Sequence, residues 1–220
     1  MKKLCVFLTV ILAGCFSLPA QVYYQQTKKK TEVGVFEIDI VSAGMILSPA
    51  RTIRIGDYMQ KSTTQLGLIL DPEMRFNIPK TPLSVGLQWG FGTFIREWQD
   101  TRILPGISKN RDIRVRGTVM EAKITFDYNF RNDGPVEYFL GAAAGYSVSR
   151  YSIMAEREYK KEAKLEEINF GGYLNGKYFV CTIRGGVELF RRFRVTLFYE
   201  YINENISYCG LNFALTLGGN

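Results

Sequence analysis

The chain has 220 residues, of which 46% are hydrophobic and 14% aromatic, with a formal net charge of +7. It is too apolar and aromatic for a disordered protein. Its mean hydropathy of −0.06 is too low for a bundle of transmembrane helices. The chain contains no histidine, which excludes Ser-His-Asp and Cys-His catalytic sites as well as His-ligated metal centres. A single domain of ordinary size fits this length.

The N-terminus has the pattern of a signal peptide. Lys2 and Lys3 precede an apolar run of about a dozen residues, Leu4 to Cys15, which is too short to span a bilayer as a helix. We therefore predict that residues 1–20 form a signal peptide, with cleavage between Ala20 and Gln21. An alternative stays open, because Leu12-Ala13-Gly14-Cys15 resembles a lipobox in which Cys15 is lipidated.

Residues 21–32 form a polar N-terminal tail that contains three consecutive lysines, Lys28 to Lys30. This short run is typical of a solvated segment, and the mild net charge does not favour nucleic acid as a partner. No P-loop, GxGxxG or CxxC motif is present, so the sequence predicts neither a metal nor another cofactor.

The rest of the chain, residues 33–220, alternates between apolar and polar residues with period 2. From Leu66 to Ile78 every even-numbered residue is apolar, including Pro72, and most odd-numbered residues are polar or small. This period indicates a β-strand with one apolar face. The same pattern predicts eight strands, near 33–47, 66–78, 83–92, 116–130, 136–148, 179–189, 194–201 and 211–218.

The connections between these strands alternate in length. Long links cover about 49–62, 97–113 and 152–176, whereas the intervening turns have only a few residues. The last link, about 203–208, belongs to the same end of the barrel as the long links but is shorter than they are. An even number of strands with long loops at one end and tight turns at the other is the arrangement of an outer-membrane barrel. We predict an all-β, eight-stranded antiparallel up-and-down transmembrane β-barrel.

Period 2 alone leaves open which face points inward. In a soluble, secreted barrel the apolar face would line a cavity for a small apolar ligand, as in lipocalins. The polar face, however, carries small residues such as Gly86, Gly141 and Gly145, which suit a crowded lumen. Aromatic residues such as Phe126 and Tyr199 gather near strand ends on the apolar face, which is typical of membrane interfaces. We therefore expect the apolar face to contact lipid.

The predicted signal peptide, the eight amphipathic strands and stretches such as 66–76 and 83–87 resemble the small outer-membrane β-barrel proteins of the OmpA/OmpX-like type. The resemblance covers nearly all of residues 33–218 and is one of pattern. It implies a location in the bacterial outer membrane and contact with outer-membrane lipid. It fixes no activity, since such barrels include anchors, adhesins, resistance factors and narrow channels.

The polar face also carries charges that we expect to fill the lumen as ion pairs, because eight strands leave an interior just wide enough for side chains. The expected cluster comprises Glu73, Arg75, Glu121, Lys123, Asp127, Arg184, Glu188, Arg194 and Glu200. Paired carboxylates are also found in acid–base catalysis, but the ion-pair interpretation is favoured. The sequence thus predicts a non-enzymatic protein with a plugged lumen, a structural or surface-interaction role and extracellular or envelope partners at the long loops. A narrow channel is the weaker alternative, and oligomeric state is left open.

Overall fold

The computed structural model of the chain describes residues 36–55, 58–99, 113–130, 135–154 and 174–218. These residues form eleven β-strands: β1 (Phe36–Ser48), β2 (Arg51–Ile55), β3 (Tyr58–Ser62), β4 (Gln65–Leu70), β5 (Glu73–Asn77), β6 (Leu83–Gln99), β7 (Ile113–Phe130), β8 (Val136–Met154), β9 (Gly176–Leu189), β10 (Phe193–Asn203) and β11 (Ile206–Gly218). No helix within these residues is long and apolar enough to cross a membrane.

The strands close into a barrel. β4 and β5 lie end to end and both pair with β1 and β6, so that together they form the second of eight barrel strands. Antiparallel pairing then runs from β6 to β7, β8, β9, β10 and β11. The pairing of β11 with β1 completes the circle. The predicted eight-stranded antiparallel barrel is confirmed.

The second barrel strand, predicted to be continuous over 66–78, is divided at Asp71 and Pro72. Proline has no N–H to donate to a β-ladder, so an uninterrupted strand is unfavourable at this position. β1 pairs with both halves of this strand and has a register shift between Asp39 and Val41 in its pairing with β11. Pro72 still accepts a hydrogen bond from the Trp89 N–H at 3.0 Å, which keeps the two halves of the strand in line.

The apolar face of the barrel points outward. Leu68 is 64% exposed, Leu87 50% and Phe126 56%, whereas the intervening Glu73 and Arg75 are 3% and 1% exposed. The predicted facing is confirmed, and the alternative of a soluble barrel with its apolar face inside is wrong. An exterior of this kind is stable in a membrane, where lipid covers it.

The outer ends of the longest strands reverse this pattern. On β7 the outward residues are apolar up to Met120, but beyond it Arg116 and Arg114 are exposed while Val115 and Val119 are buried inside. β7 has 18 residues, more than the ~9–11 that a tilted strand needs to cross the bilayer. The outer end of the barrel therefore extends beyond the lipid and contains its own apolar core. That core comprises Ile46, Ile53, Ile69, Phe94, Val115, Val119, Tyr151, Ile153, Leu174, Val180, Phe198, Ile202, Ile206 and Tyr208.

The links differ at the two ends of the barrel. The turns after β5, β7 and β9 are short, and Lys80, Phe190 and Arg191 adopt the left-handed conformation there. At the other end, the first long link contains the β2–β3 hairpin. The last link is only Glu204 and Asn205, shorter than the predicted 203–208. Most of the other two long links, including the charge-rich segment 156–167, lies outside the described residues.

Candidate functional site: the charged lumen

The structure places all nine residues of the predicted lumen cluster on the inner face of the barrel. Eight of them are buried, and the side chain of Glu188 is 13% exposed. They come from β5, β7, β9 and β10. The strand alternation brings them to one face, but only the closure of the barrel brings β5 opposite β9, so their contacts depend on the whole fold.

Arg184 lies at the centre of the lumen and binds two carboxylates. Its Nη1 and Nη2 atoms donate to the two oxygens of Glu73 at 2.7 and 2.6 Å. Its Nε and Nη2 atoms donate to the two oxygens of Asp127 at 2.8 and 2.7 Å. The planar guanidinium suits this double bidentate contact. Arg184 thereby cross-links β9 to β5 and β7 through the interior.

A second group of ion pairs lies toward the short-turn end. Arg75 contacts Glu37 at 3.1 Å, Asp39 at 3.3 Å and Glu188 at 3.7 Å. Arg194 contacts Asp127 at 2.6 Å and Glu188 at 3.6 Å. The partners Glu37 and Asp39 are absent from the predicted cluster, although the alternation of β1 does put them on the polar face.

The aromatic ring of Phe139 supports this second group. The Arg194 guanidinium carbon lies 3.5 Å from the centroid of the ring, which is a close cation–π contact. Phe139 is buried on the inner face of β8, and the sequence analysis predicts no role for it. Its neighbour Arg194 thus has both an aromatic and an anionic partner.

A third group lies toward the outer end, around Lys123. The Lys123 ammonium contacts Glu121 at 2.8 Å and also Glu200. The Tyr208 hydroxyl contacts both carboxylates and lies 2.6 Å from Glu121. Thr182 donates to Glu200 at 3.0 Å. Tyr208 was not predicted as a member of the site, because its position in the last link hid its inward orientation.

Asp71 is held by neutral donors rather than by a cation. Ser42 donates to it at 2.9 Å, Gln88 at 3.0 Å and Asn212 at 2.6 Å. Among the described residues no Lys or Arg forms a salt bridge with this carboxylate. The lumen is therefore a mixed network of ion pairs and neutral hydrogen bonds.

Little free space remains between these groups. The cavity at this level has a volume of about 10 Å³ and is lined by Asp39, Asp71, Glu73, Gln88, Lys123, Thr182, Arg184, Thr196, Phe198 and Asn212. This is roughly the room that one water molecule requires. In the described part of the chain, no group of three or more His, Cys, Asp or Glu residues is arranged to hold a metal ion.

The β2–β3 hairpin packs on the outer end of the barrel. The Arg54 N–H donates to Asn205 Oδ1 at 2.9 Å, and Asn205 Nδ2 donates to the Arg54 carbonyl at 3.0 Å. Arg51 Nη2 donates to the carbonyl and hydroxyl oxygens of Ser207 at 2.9 and 2.7 Å. Burial and the neighbouring Arg96 guanidinium lower the pKa of Arg51 from its usual value. Ile53 is fully buried in the outer apolar core, so the hairpin is a packed part of the fold.

Neither a protein-family model nor a curated protein matches the sequence. Among solved structures, Neisserial surface protein A (NspA) is similar, with 13% identity over 84% of this chain and 98% of that chain and a TM-score of 0.46. Ail, the attachment invasion locus protein of Yersinia pestis, is similar in its complex with the heparin analogue sucrose octasulfate. It has 14% identity over 83% of this chain and 99% of that chain, with a TM-score of 0.42.

The architecture itself carries the assignment of the fold. Eight antiparallel strands close on themselves, their outer surface is apolar, and tight turns join them at one end. The resemblance predicted from the sequence is confirmed at the level of architecture: the chain has the closed eight-stranded transmembrane barrel of the small outer-membrane β-barrel proteins of the OmpA/OmpX-like type.

Proposed function

We propose that this protein is a non-enzymatic outer-membrane barrel whose lumen is plugged by ion pairs and whose outer end has a structural or surface-interaction role. The observation that carries the proposal is the lumen network, in which Arg75, Lys123, Arg184 and Arg194 each contact at least two carboxylates. With a cavity of about 10 Å³, this level of the barrel has no room for a substrate. The carboxylates of the predicted cluster are engaged in ion pairs and Asp71 is bonded by three neutral donors, which does not favour acid–base catalysis.

The plug is tested by planar-bilayer recording on the wild-type protein, after folding has been verified by heat-dependent gel mobility. We expect no steady ion conductance, because buried paired charges fill the cross-section of an eight-stranded barrel. Steady conductance at the level of a water-filled pore would overturn the proposal in favour of the narrow-channel alternative.

The surface role is supported by the position of the β2–β3 hairpin and of the long links, which all lie at the end opposite the tight turns. The test is a set of deletions that shorten each long link separately in the full-length protein. Loss of binding of intact cells to extracellular or envelope components, with unchanged barrel folding, is the expected result. If every deletion leaves binding unchanged, the interaction role is wrong.

We also propose that residues 1–20 direct export and are removed between Ala20 and Gln21, leaving the 21–32 tail ahead of the 33–220 barrel domain. The support is the charge and length pattern of the leader. Intact mass spectrometry of the membrane-extracted protein distinguishes the two processing routes. A chain that begins at Gln21 supports the proposal, whereas one that begins at a lipidated Cys15 overturns it.

A further inference from the structure

The outer end of the barrel contains two neighbouring arginines that differ from every cation in the lumen. Arg96 on β6 is 0% exposed, and Arg51 on β2 is half-buried. The four lumen cations each contact at least two carboxylates. Within the described residues, by contrast, no carboxylate forms a salt bridge with Arg51 or Arg96. Glu97, one residue after Arg96, pairs instead with Arg114 on the exterior at 3.2 Å.

Among the described residues, the hydrogen bonds of these two arginines go to neutral groups. Arg96 donates from Nη1 to the Asn205 carbonyl at 3.4 Å and from Nη2 to the Ser48 hydroxyl. Arg51 donates to Ser207. Neutral acceptors satisfy N–H groups but supply no countercharge. A buried charge without an opposite charge is strongly unfavourable, so a bound anion would stabilise this pair.

Several donors at this end also lack acceptors. Among the described residues, Arg51 Nε, Arg96 Nε and the Tyr151 hydroxyl are buried without a hydrogen-bond partner. The Phe94 ring contacts two of these residues: its centroid lies 5.2 Å from the Arg96 guanidinium carbon and 5.7 Å from the Tyr151 ring centroid. Tyr151 is also within electrostatic range of both arginines. The cluster is therefore rich in donors that face no acceptor.

We propose that Arg51, Arg96 and Tyr151 form a binding site for a phosphate- or sulfate-type oxyanion beneath the β2–β3 hairpin. Such a group carries several acceptor oxygens and the negative charge that the two guanidiniums lack. Arg51 is the half-buried member, so the anion enters from its side. The oxyanion stabilises the hairpin on the barrel, because Arg51 belongs to the hairpin and Arg96 to the barrel wall.

The test measures thermal unfolding of the detergent-folded full-length protein as inorganic phosphate replaces chloride at constant ionic strength. We expect the midpoint to rise and saturate with phosphate, since a ligand that binds only the folded state stabilises it. A parallel titration with glucose 6-phosphate distinguishes a free ion from a phosphate ester: stabilisation by both extends the site to esters, whereas stabilisation by phosphate alone restricts it to the free ion. The absence of any phosphate-specific rise would overturn the proposal and indicate that the chain supplies the countercharge.

Variants assign the site to these residues. Arg51→Gln should weaken the apparent phosphate affinity about 10- to 100-fold, and Tyr151→Phe about tenfold, because each removes a hydrogen bond to a charged group. Arg150→Gln, an exposed exterior arginine, is the matched control and should leave the affinity unchanged. If Arg51→Gln and Tyr151→Phe respond to phosphate as wild type does, the site is wrong. The closed lumen is independent of this result.

Discussion

The charged side chains of the lumen cluster are held by partners on other strands. Arg184 is 3% exposed and donates four hydrogen bonds to Glu73 and Asp127. Removal of the guanidinium would leave two buried carboxylates without their principal cation. A buried ion pair adds little net stability compared with an apolar pair, but removing one partner is costly because it leaves the other charge buried and unpaired.

Arg184→Ala should therefore lower the free energy of unfolding by about 3–5 kcal/mol. Arg184→Lys keeps the charge but loses the bidentate geometry, so we expect an intermediate loss. Arg150→Ala, on the exposed exterior, is the control and should change stability by no more than about 0.5 kcal/mol. Equilibrium urea unfolding in lipid vesicles measures all three. Equal stability of Arg184→Ala and Arg150→Ala would contradict a tightly packed ion-pair lumen.

Two glycines on β6 test the packing of the lumen directly. A Cβ atom added at Gly86 would lie 2.5 Å from Thr125 Oγ1 and 2.7 Å from Glu73 Oε1. At Gly92 the nearest atom would be Ile46 Cδ1 at 3.6 Å, an ordinary contact. Both glycines face inward on the same strand, which makes them a matched pair.

We expect Gly86→Ala to lower the free energy of unfolding by about 1–3 kcal/mol, because the added methyl group displaces Thr125 and Glu73. Gly92→Ala should be neutral or stabilising by up to about 1 kcal/mol, since glycine within a strand has a high entropy cost of folding. The same unfolding assay compares the two variants. Similar stabilities for both would mean that the lumen is looser at Gly86 than the structure indicates.

Among the elements, the strands of the barrel wall were predictable from the sequence, whereas their irregularities were not. The alternation around Leu68 and Leu87 predicts the strands, and the small residues of the polar face together with the aromatic residues near the strand ends predict the facing. Pro72 fits the alternation of its apolar neighbours, so the pattern did not reveal that the strand divides there. The contacts of Arg75 with Glu37 and Asp39 depend on the register between β1 and β5, which alternation alone does not specify.

The two cysteines of the barrel lie on different elements that do not pair with each other. Cys181 on β9 lies opposite Tyr201 on β10. Cys209 on β11 lies opposite Tyr199, which is also on β10. With β10 between them, their Cα atoms are separated by two strand spacings, about 10 Å. A disulfide requires a separation below about 7 Å.

Cys181 and Cys209 should therefore form no intramolecular disulfide, even in an oxidising compartment. The measurement is gel mobility of the denatured monomer with and without reductant, with Cys181→Ser as the control. We expect the same mobility for the wild type and for Cys181→Ser, each with and without reductant. A shift of the wild-type monomer on reduction, absent in Cys181→Ser, would contradict the strand order or register.

At the scale of the whole molecule, the barrel has two parts with opposite patterns. The membrane part is apolar outside and charged inside, whereas the outer end is apolar inside and polar outside. The sequence contains this change: on β7 the apolar residues shift from even positions, such as Met120 and Ile124, to odd positions, such as Val115 and Val119. It was missed because the prediction used the period of the alternation and not its phase. The arginine cluster under the hairpin lies in the outer part and needed the tertiary structure to be found.

The boundary between the two parts can be measured by placing the same charge on β6 at two heights. Leu87 lies between Met74 and Ile124 within the apolar band, while Ile95 lies opposite Arg116 beyond it. Leu87→Arg should cost about 2–4 kcal/mol of folding free energy in lipid vesicles, because the charge meets hydrocarbon near the midplane, and Ile95→Arg only about 0–1 kcal/mol. Both side chains are well exposed, at 50% and 42%, so neither substitution disturbs the lumen. Equal costs would place Ile95 in the bilayer as well, and a negligible cost for Leu87→Arg would mean that this face of the barrel does not contact lipid.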